Sequence, residues 1–165
     1  MGYAGEVLNA CGLIEIDFTE TWVVAVSGDG PNVCGHLLLY AGNRTKFYYH
    51  VAELHGHPRY MDEGGYRRYL AETGKTEITR RRVGLPNPDG ALIDLENLMA
   101  RKWLWAVVPN NCVTFAEEVI AAGGGTWASL SNCPAVSTAD GLQYRIQLFL
   151  NRLENEIRGL YGVPR

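Results

Sequence analysis

The chain has 165 residues, 47% of them hydrophobic, with 15 basic and 18 acidic side chains and a formal net charge of −3. That is enough apolar material for one domain over residues 1–165 and too little for two, and the interleaved charges exclude the global positive field that nucleic-acid binding requires. No apolar run reaches membrane-spanning length, and Met1 to Ala10 lacks the basic start and long apolar run of a signal peptide, so a soluble protein without stable membrane insertion is expected.

Thr21 to Ser27 (TWVVAVS) is rich in β-branched residues and runs into Gly28-Asp29-Gly30-Pro31, which predicts a buried strand followed by a loop. Val33 to Ala41 and Lys46 to Leu54 are β-prone segments flanking Gly42-Asn43-Arg44, whose residues tolerate positive φ, so a hairpin centred on Asn43 is expected. Between Gly64 and Gly74 the tyrosines and Leu70 fall at helical spacing, and Thr76 to Val83 then alternates like another strand. Its Arg80-Arg81-Arg82 run reads as a solvated strand end or loop. After the break at Pro86-Asn87-Pro88-Asp89-Gly90, Asp89 is expected to cap a helix starting near Ala91. Leu92, Leu95, Leu98, Met99 and the stem of Lys102 share one face of it, and Trp103 and Trp105 close it against the core. Cys112, Phe115, Ala116, Val119 and Ile120 recur at helical spacing until Gly123-Gly124-Gly125 stops the run. Leu142, Ile146, Phe149, Leu150, Leu153 and Ile157 form the stripe of a final helix. The predicted class is α+β, an antiparallel sheet packed against helices.

Four cysteines are scattered without a CxxC pair or a zinc-like His spacing, so neither a metal site nor a cofactor is expected. Cys11, Cys34 and Cys133 read as small buried hydrophobes. Cys112 differs, because the first turn of a helix carries unpaired N–H groups and the positive end of the dipole, both of which favour a thiolate. Asn110 or Asn111 is the natural N-cap, and the N–H of Cys112 can donate to an oxyanion formed when the sulfur attacks a carbonyl. Such a thiol is expected to alkylate faster near neutral pH than the other three.

The base must come from elsewhere in the sequence. His36 opens HLLLY and His50 closes FYYH, with their midpoint at position 43, so the two are expected to face each other across the hairpin. One imidazole, His36, then acts as base and His50 orients it through the other ring nitrogen. His55 and His57 lie in HGHPRY, a loop by its Gly and Pro, and with Tyr40 they are assigned to the substrate rim. They are also the substitutes for His50 as third member.

Three segments in this order and spacing, Cys34-Gly35-His36-Leu37-Leu38-Leu39-Tyr40, Phe47-Tyr48-Tyr49-His50-Val51 and Asn111-Cys112-Val113-Thr114-Phe115, resemble the permuted branch of the NlpC-type papain-like superfamily, typified by lecithin:retinol acyltransferase. The match runs from about Val33 to Ile120. It implies a circularly permuted papain-like fold and a thiol hydrolase of amide or ester bonds. The cysteine motif continues Val113 to Glu118 without the charged, His-containing continuation of the acyltransferases, and no hydrophobic tail follows. Leu92 to Gly124, with Arg101-Lys102-Trp103-Leu104-Trp105 and Asn110-Asn111-Cys112, resembles small bacterial proteins encoded beside type VI secretion components. That likeness implies a cell-wall peptide substrate, a cognate inhibitor (immunity) protein as partner and export by a signal-independent secretion system. Two other readings stay open: a lipid or protein acyltransferase or thioesterase using the same residues, and a non-catalytic binding module.

Overall fold

The central strands are apolar at odd and even positions alike, so the sheet they form must be covered on both faces. The computed structural model describes residues 2–8, 14–28, 35–53, 55–104 and 111–126. Its elements are β1 (Glu6–Val7), β2 (Thr21–Val26), β3 (His36–Ala41), β4 (Phe47–His50), β5 (His55–Gly56), β6 (Arg59–Asp62), α1 (Glu63–Thr73), β7 (Glu77–Val83), α2 (Pro88–Met99), β8 (Trp103–Leu104) and α3 (Cys112–Ala122). Six strands form an antiparallel sheet in the order β1-β6-β4-β3-β2-β7, and β5 pairs separately with β8. The fold is α+β.

Sequence parity sorts the two faces, because successive side chains of a strand point oppositely. Val23, Ala25, Leu37, Leu39, Ala41, Tyr49 and Val51 pack against Leu95, Leu98 and Met99 of α2 and Phe115, Ala116 and Val119 of α3. Val24, Val26, Leu38, Tyr40 and Tyr48 pack instead with Tyr66 and Tyr69 of α1. On that second face Tyr48 stacks on Tyr66 at 4.0 Å, and Arg80 donates to the Tyr48 hydroxyl at 2.9 Å while pairing with Glu77. The arginine read as a solvated strand end is therefore a strut between β7, the sheet and α1; Arg81 and Arg82 are exposed.

The expected helices form with adjusted ends. The Asp62 side chain accepts from Gly65 N to start α1, and Gly74 ends it at φ 68°, a left-handed conformation that costs glycine little. α2 begins at Pro88 rather than near Ala91, and its cap is Asn87 rather than Asp89. Proline at the first helical position loses only an N–H that would lack an intrahelical partner, and Asn87 accepts from Gly90 N, leaving Asp89 in the first turn, where its charge suits the dipole. Lys102 lies beyond the helix and is exposed. Trp103 does close against the core, edge-on to Phe115 at 5.7 Å. Trp105, the final helix expected over 142–157, and Cys11, Cys34, Cys133 and Asn110 lie outside the described residues.

The hairpin departs from expectation in register. Ala41 pairs with Phe47 and Leu39 with Tyr49, which centres the turn on Arg44 rather than Asn43. Gly42 causes the shift: at φ 143° it lets the chain fold back so tightly that a Cβ there would meet the Thr45 carbonyl oxygen at 1.7 Å. Continuing the register sets His50 opposite Leu38 instead of His36. The displacement is two residues, an even number, so both imidazoles keep the same face and meet diagonally.

Candidate active site

Asn111 sets the start of α3. Its side-chain oxygen accepts from Val113 N at 2.9 Å and Thr114 N at 3.1 Å, while its own N–H donates to Thr114 Oγ1 at 2.6 Å, a reciprocal capping box. The side-chain oxygen of Asn111 is thus occupied in the cap, the role expected of it at the helix start. Asn111→Ala should lower stability by about 1 kcal/mol in a denaturant titration.

Cys112 is the first residue of α3 and is partly buried against the face of the sheet that α2 and α3 cover. The N–H groups of Leu37, Cys112 and Val113 act on its sulfur and draw the thiol pKa down. Burial outweighs them and, with the negative charge of buried Glu117 one turn further along, raises the pKa above that of an ordinary cysteine. The thiolate-favouring effect of the helix start is thus outweighed: desolvation of the thiolate is the larger effect. Cys112 should react slowly with iodoacetamide at pH 7 and faster as the pH rises through its elevated pKa, and Glu117→Gln should lower that pKa. A fast rate at pH 7 in the free protein would contradict the arrangement.

His36 and His50 are brought together as expected. Nε2 of His36 lies 2.7 Å from Nδ1 of His50, and Nε2 of His50 lies 2.9 Å from the carbonyl oxygen of Ala4. The His50 ring is buried, edge-on to Tyr69 at 5.4 Å, beside Arg59 in register on β6. Burial, aided by the charge of Arg59, takes its pKa from 6.5 to about 4; the Ala4 hydrogen bond opposes this only in part. His36 is held well below 6.5 by burial, by His50 and by Lys75. Both rings are neutral at neutral pH.

Stability follows with a defined sign. An unfolded chain protonates His50 at 6.5 while the folded one resists down to about 4, so the unfolded state binds the extra proton throughout that window. This contribution is complete above pH 6.5 and is lost as the pH falls toward 4, on the order of 3 kcal/mol for a fully buried ring. Unfolding free energies measured across the window should slope less steeply in His50→Asn than in the natural chain.

The thiol and the histidine pair approach β3 from different sides. His36 pairs with Val26 and shares the α1 face with His50 and Tyr69, whereas the sulfur comes to the Leu37 N–H from the α3 face. No hydrogen bond joins Cys112 to His36 among the described residues, so the direct contact expected from the sequence is not made: strand alternation turns His36 away from the residue that follows it. Tyr40, expected at a substrate rim, is 6% exposed and packed edge-on to Tyr48 under Arg80, because its even position faces α1. His57 is turned toward the Met99 carbonyl at 3.3 Å, and His55, exposed, pairs through β5 with Leu104. Neither lies on the His36–His50 chain, so the substitute role for His50 does not arise.

Sequence reasoning missed β1, β6, Ala4 and Arg59. β6 reads RYMD, too short and too polar for an alternation signal, and a main-chain carbonyl leaves no mark in a sequence. Among the described residues no group of three or more His, Cys, Asp or Glu side chains is arranged to hold a metal ion. No protein-family model, curated protein or solved structure matches the chain.

Proposed function

We propose that the chain is a thiol hydrolase of amide or ester bonds in a circularly permuted papain-like arrangement, with Cys112 as nucleophile, His36 as general base and His50 as orienter. The observation that carries this reading is the 2.7 Å contact from Nε2 of His36 to His50: it occupies one ring nitrogen and leaves Nδ1 to exchange a proton with the thiol. A protonated thiol and a neutral imidazole are the resting state, as their pKa directions require.

The reading requires the Cys112 sulfur and Nδ1 of His36, which approach β3 from different sides, to come together around the start of the strand, where Gly35 sits at φ 75°. His36 takes the thiol proton as sulfur bonds to the substrate carbonyl carbon, and the carbonyl electron pair moves onto oxygen. In this reading the N–H groups of Leu37 and Cys112, released by the sulfur, donate to that oxyanion. Collapse breaks the bond to the amine or alcohol, which leaves with the proton from His36. Water then attacks the thioester, passing a proton to His36, and the acid departs as the thiol regains it.

The cell-wall peptide substrate, the cognate inhibitor protein and secretion-system export rest on the resemblance of Leu92 to Gly124 alone. No helix among the described residues is long and apolar enough to cross a membrane. Incubating the protein separately with cell-wall sacculi and with phospholipid vesicles, then analysing products by mass spectrometry, tests the reading. Cleaved stem or cross-link peptides are expected from the sacculi. An acyl group passed to a non-water acceptor would instead mark an acyltransferase of the same site. The elevated thiol pKa and the missing Cys112–His36 hydrogen bond favour a second reading, a non-catalytic binding module; it predicts no product from either material and tight binding unaffected by Cys112→Ala.

A further inference from the structure

Resting on the reading of His36 as base, we propose that the amino-terminal segment, residues 2–7, is a positioning element of the histidine relay, with the main-chain carbonyl of Ala4 deciding which nitrogen of His36 is bare. The argument is proton counting. A carbonyl oxygen only accepts, so the 2.9 Å contact requires the proton of His50 to sit on Nε2. A neutral imidazole carries one ring proton, which makes Nδ1 of His50 an acceptor, and the 2.7 Å contact then makes Nε2 of His36 the donor. His36 is neutral as well, so its Nδ1 is left as a lone pair, the form a base needs. With the Ala4 carbonyl withdrawn, His50 is free to carry its proton on Nδ1 and donate to Nε2 of His36. The remaining proton of His36 then moves to Nδ1, where it blocks proton transfer from the thiol.

The segment is built to hold that carbonyl. Glu6 and Val7 pair with Tyr60 and Arg59 at the sheet edge, and at Gly5 the chain turns away to lie beside α1. Tyr3 N donates to the Glu72 carboxylate at 2.7 Å, and the Arg68 guanidinium covers the Tyr3 ring at 4.3 Å. Arg59 donates to the Gly5 carbonyl at 2.9 Å, so one side chain both fixes the segment and sets a positive charge beside His50; its other contact is the Glu53 carboxylate. Gly5 sits at φ 92°, and a Cβ there would meet the Tyr60 carbonyl oxygen at 2.7 Å. Any larger residue must move the backbone that carries the Ala4 carbonyl.

The groups facing His50 are therefore His36 from β3, Arg59 from β6, Tyr69 from α1 and the Ala4 carbonyl, with Lys75 acting on His36. Only the last member of the relay comes from the amino terminus, and it is joined by main chain, so replacing the Ala4 side chain leaves it in place.

Nitrogen-15 NMR of the chain tests this without a substrate, using Gly5→Ala and, as a milder change that adds no Cβ clash, Glu72→Ala at an exposed tether. In the natural chain at pH 7 both His36 and His50 should show the proton on Nε2. In the variants the Nδ1-protonated form of His50 should appear, and its titration midpoint should rise by about one unit or more as water reaches the ring. Folded variants in which tautomer and midpoint of both histidines stay unchanged would overturn the proposal. The two readings fail separately: an active Cys112→Ala variant removes the catalytic reading and leaves the tautomer result standing, whereas unchanged tautomers beside a dead Cys112→Ala variant remove only the positioning role.

Discussion

Cys112→Ala should yield a folded protein whose turnover of any substrate found in the sacculus or vesicle incubations falls by about 10⁴-fold or more, because on the proposed reading the covalent route disappears while little packing is lost. The site tolerates the change structurally: Cys112 is partly buried at the first position of α3, the Asn111 cap does not involve its side chain, and alanine favours a helix. Cys112→Ser should be nearly as damaged, since the hydroxyl is a far weaker nucleophile than the thiol and His36, with its depressed pKa, is a weak base. Single-turnover kinetics should show accumulation of an acyl-enzyme in the natural chain and none in the alanine variant. Turnover near the natural level by Cys112→Ala would end the nucleophile assignment.

The second large effect belongs to the histidines and lies in their order. His36→Ala should reduce turnover by about 10²- to 10⁴-fold, the usual range for loss of a general base. His50→Asn should lose less, because its side-chain oxygen can replace Nδ1 and still accept from Nε2 of His36. His50→Gln reaches further, toward the Ala4 carbonyl, and should keep that tie while presenting a poorer acceptor to His36; it is expected to fall between the other two. His50→Ala is a less clean probe, since a ring 1% exposed leaves a cavity when removed. His55→Ala and His57→Ala should be close to silent. In kcat/KM the acidic limb should fall below pH 6.5, because His36 must be neutral to act and burial holds its pKa under that value. A limb at or above 6.5, or a crippling His57→Ala, would assign the base elsewhere.

Much of this arrangement is legible in the chain before it folds. The Asn-Cys start of α3 is a local matter, set by an amide that reaches the N–H groups two and three residues on, and it was readable for that reason. The same holds for β2, β3, β4 and β7, whose β-branched and aromatic residues announce strands, and for the shared face of His36 and His50, which depends only on parity about a turn. The turn centre was misplaced by one position because Gly42 adopts a conformation its neighbours do not specify. The even displacement that resulted kept the pair intact.

Tertiary structure decided what parity and propensity leave open. Which face each helix covers places Cys112 on one side of β3 and the imidazoles on the other, and no local pattern encodes that choice. Burial reverses the expected tendency of the Cys112 thiol, because desolvation depends on how α3 packs on the sheet rather than on its first turn alone. The Ala4 carbonyl and Arg59 reach His50 from 46 and 9 residues away through edge pairing of β1 with β6 and of β6 with β4. A sequence names the side chains that can carry protons; the long-range approach of backbone and charge determines which of their nitrogens holds one.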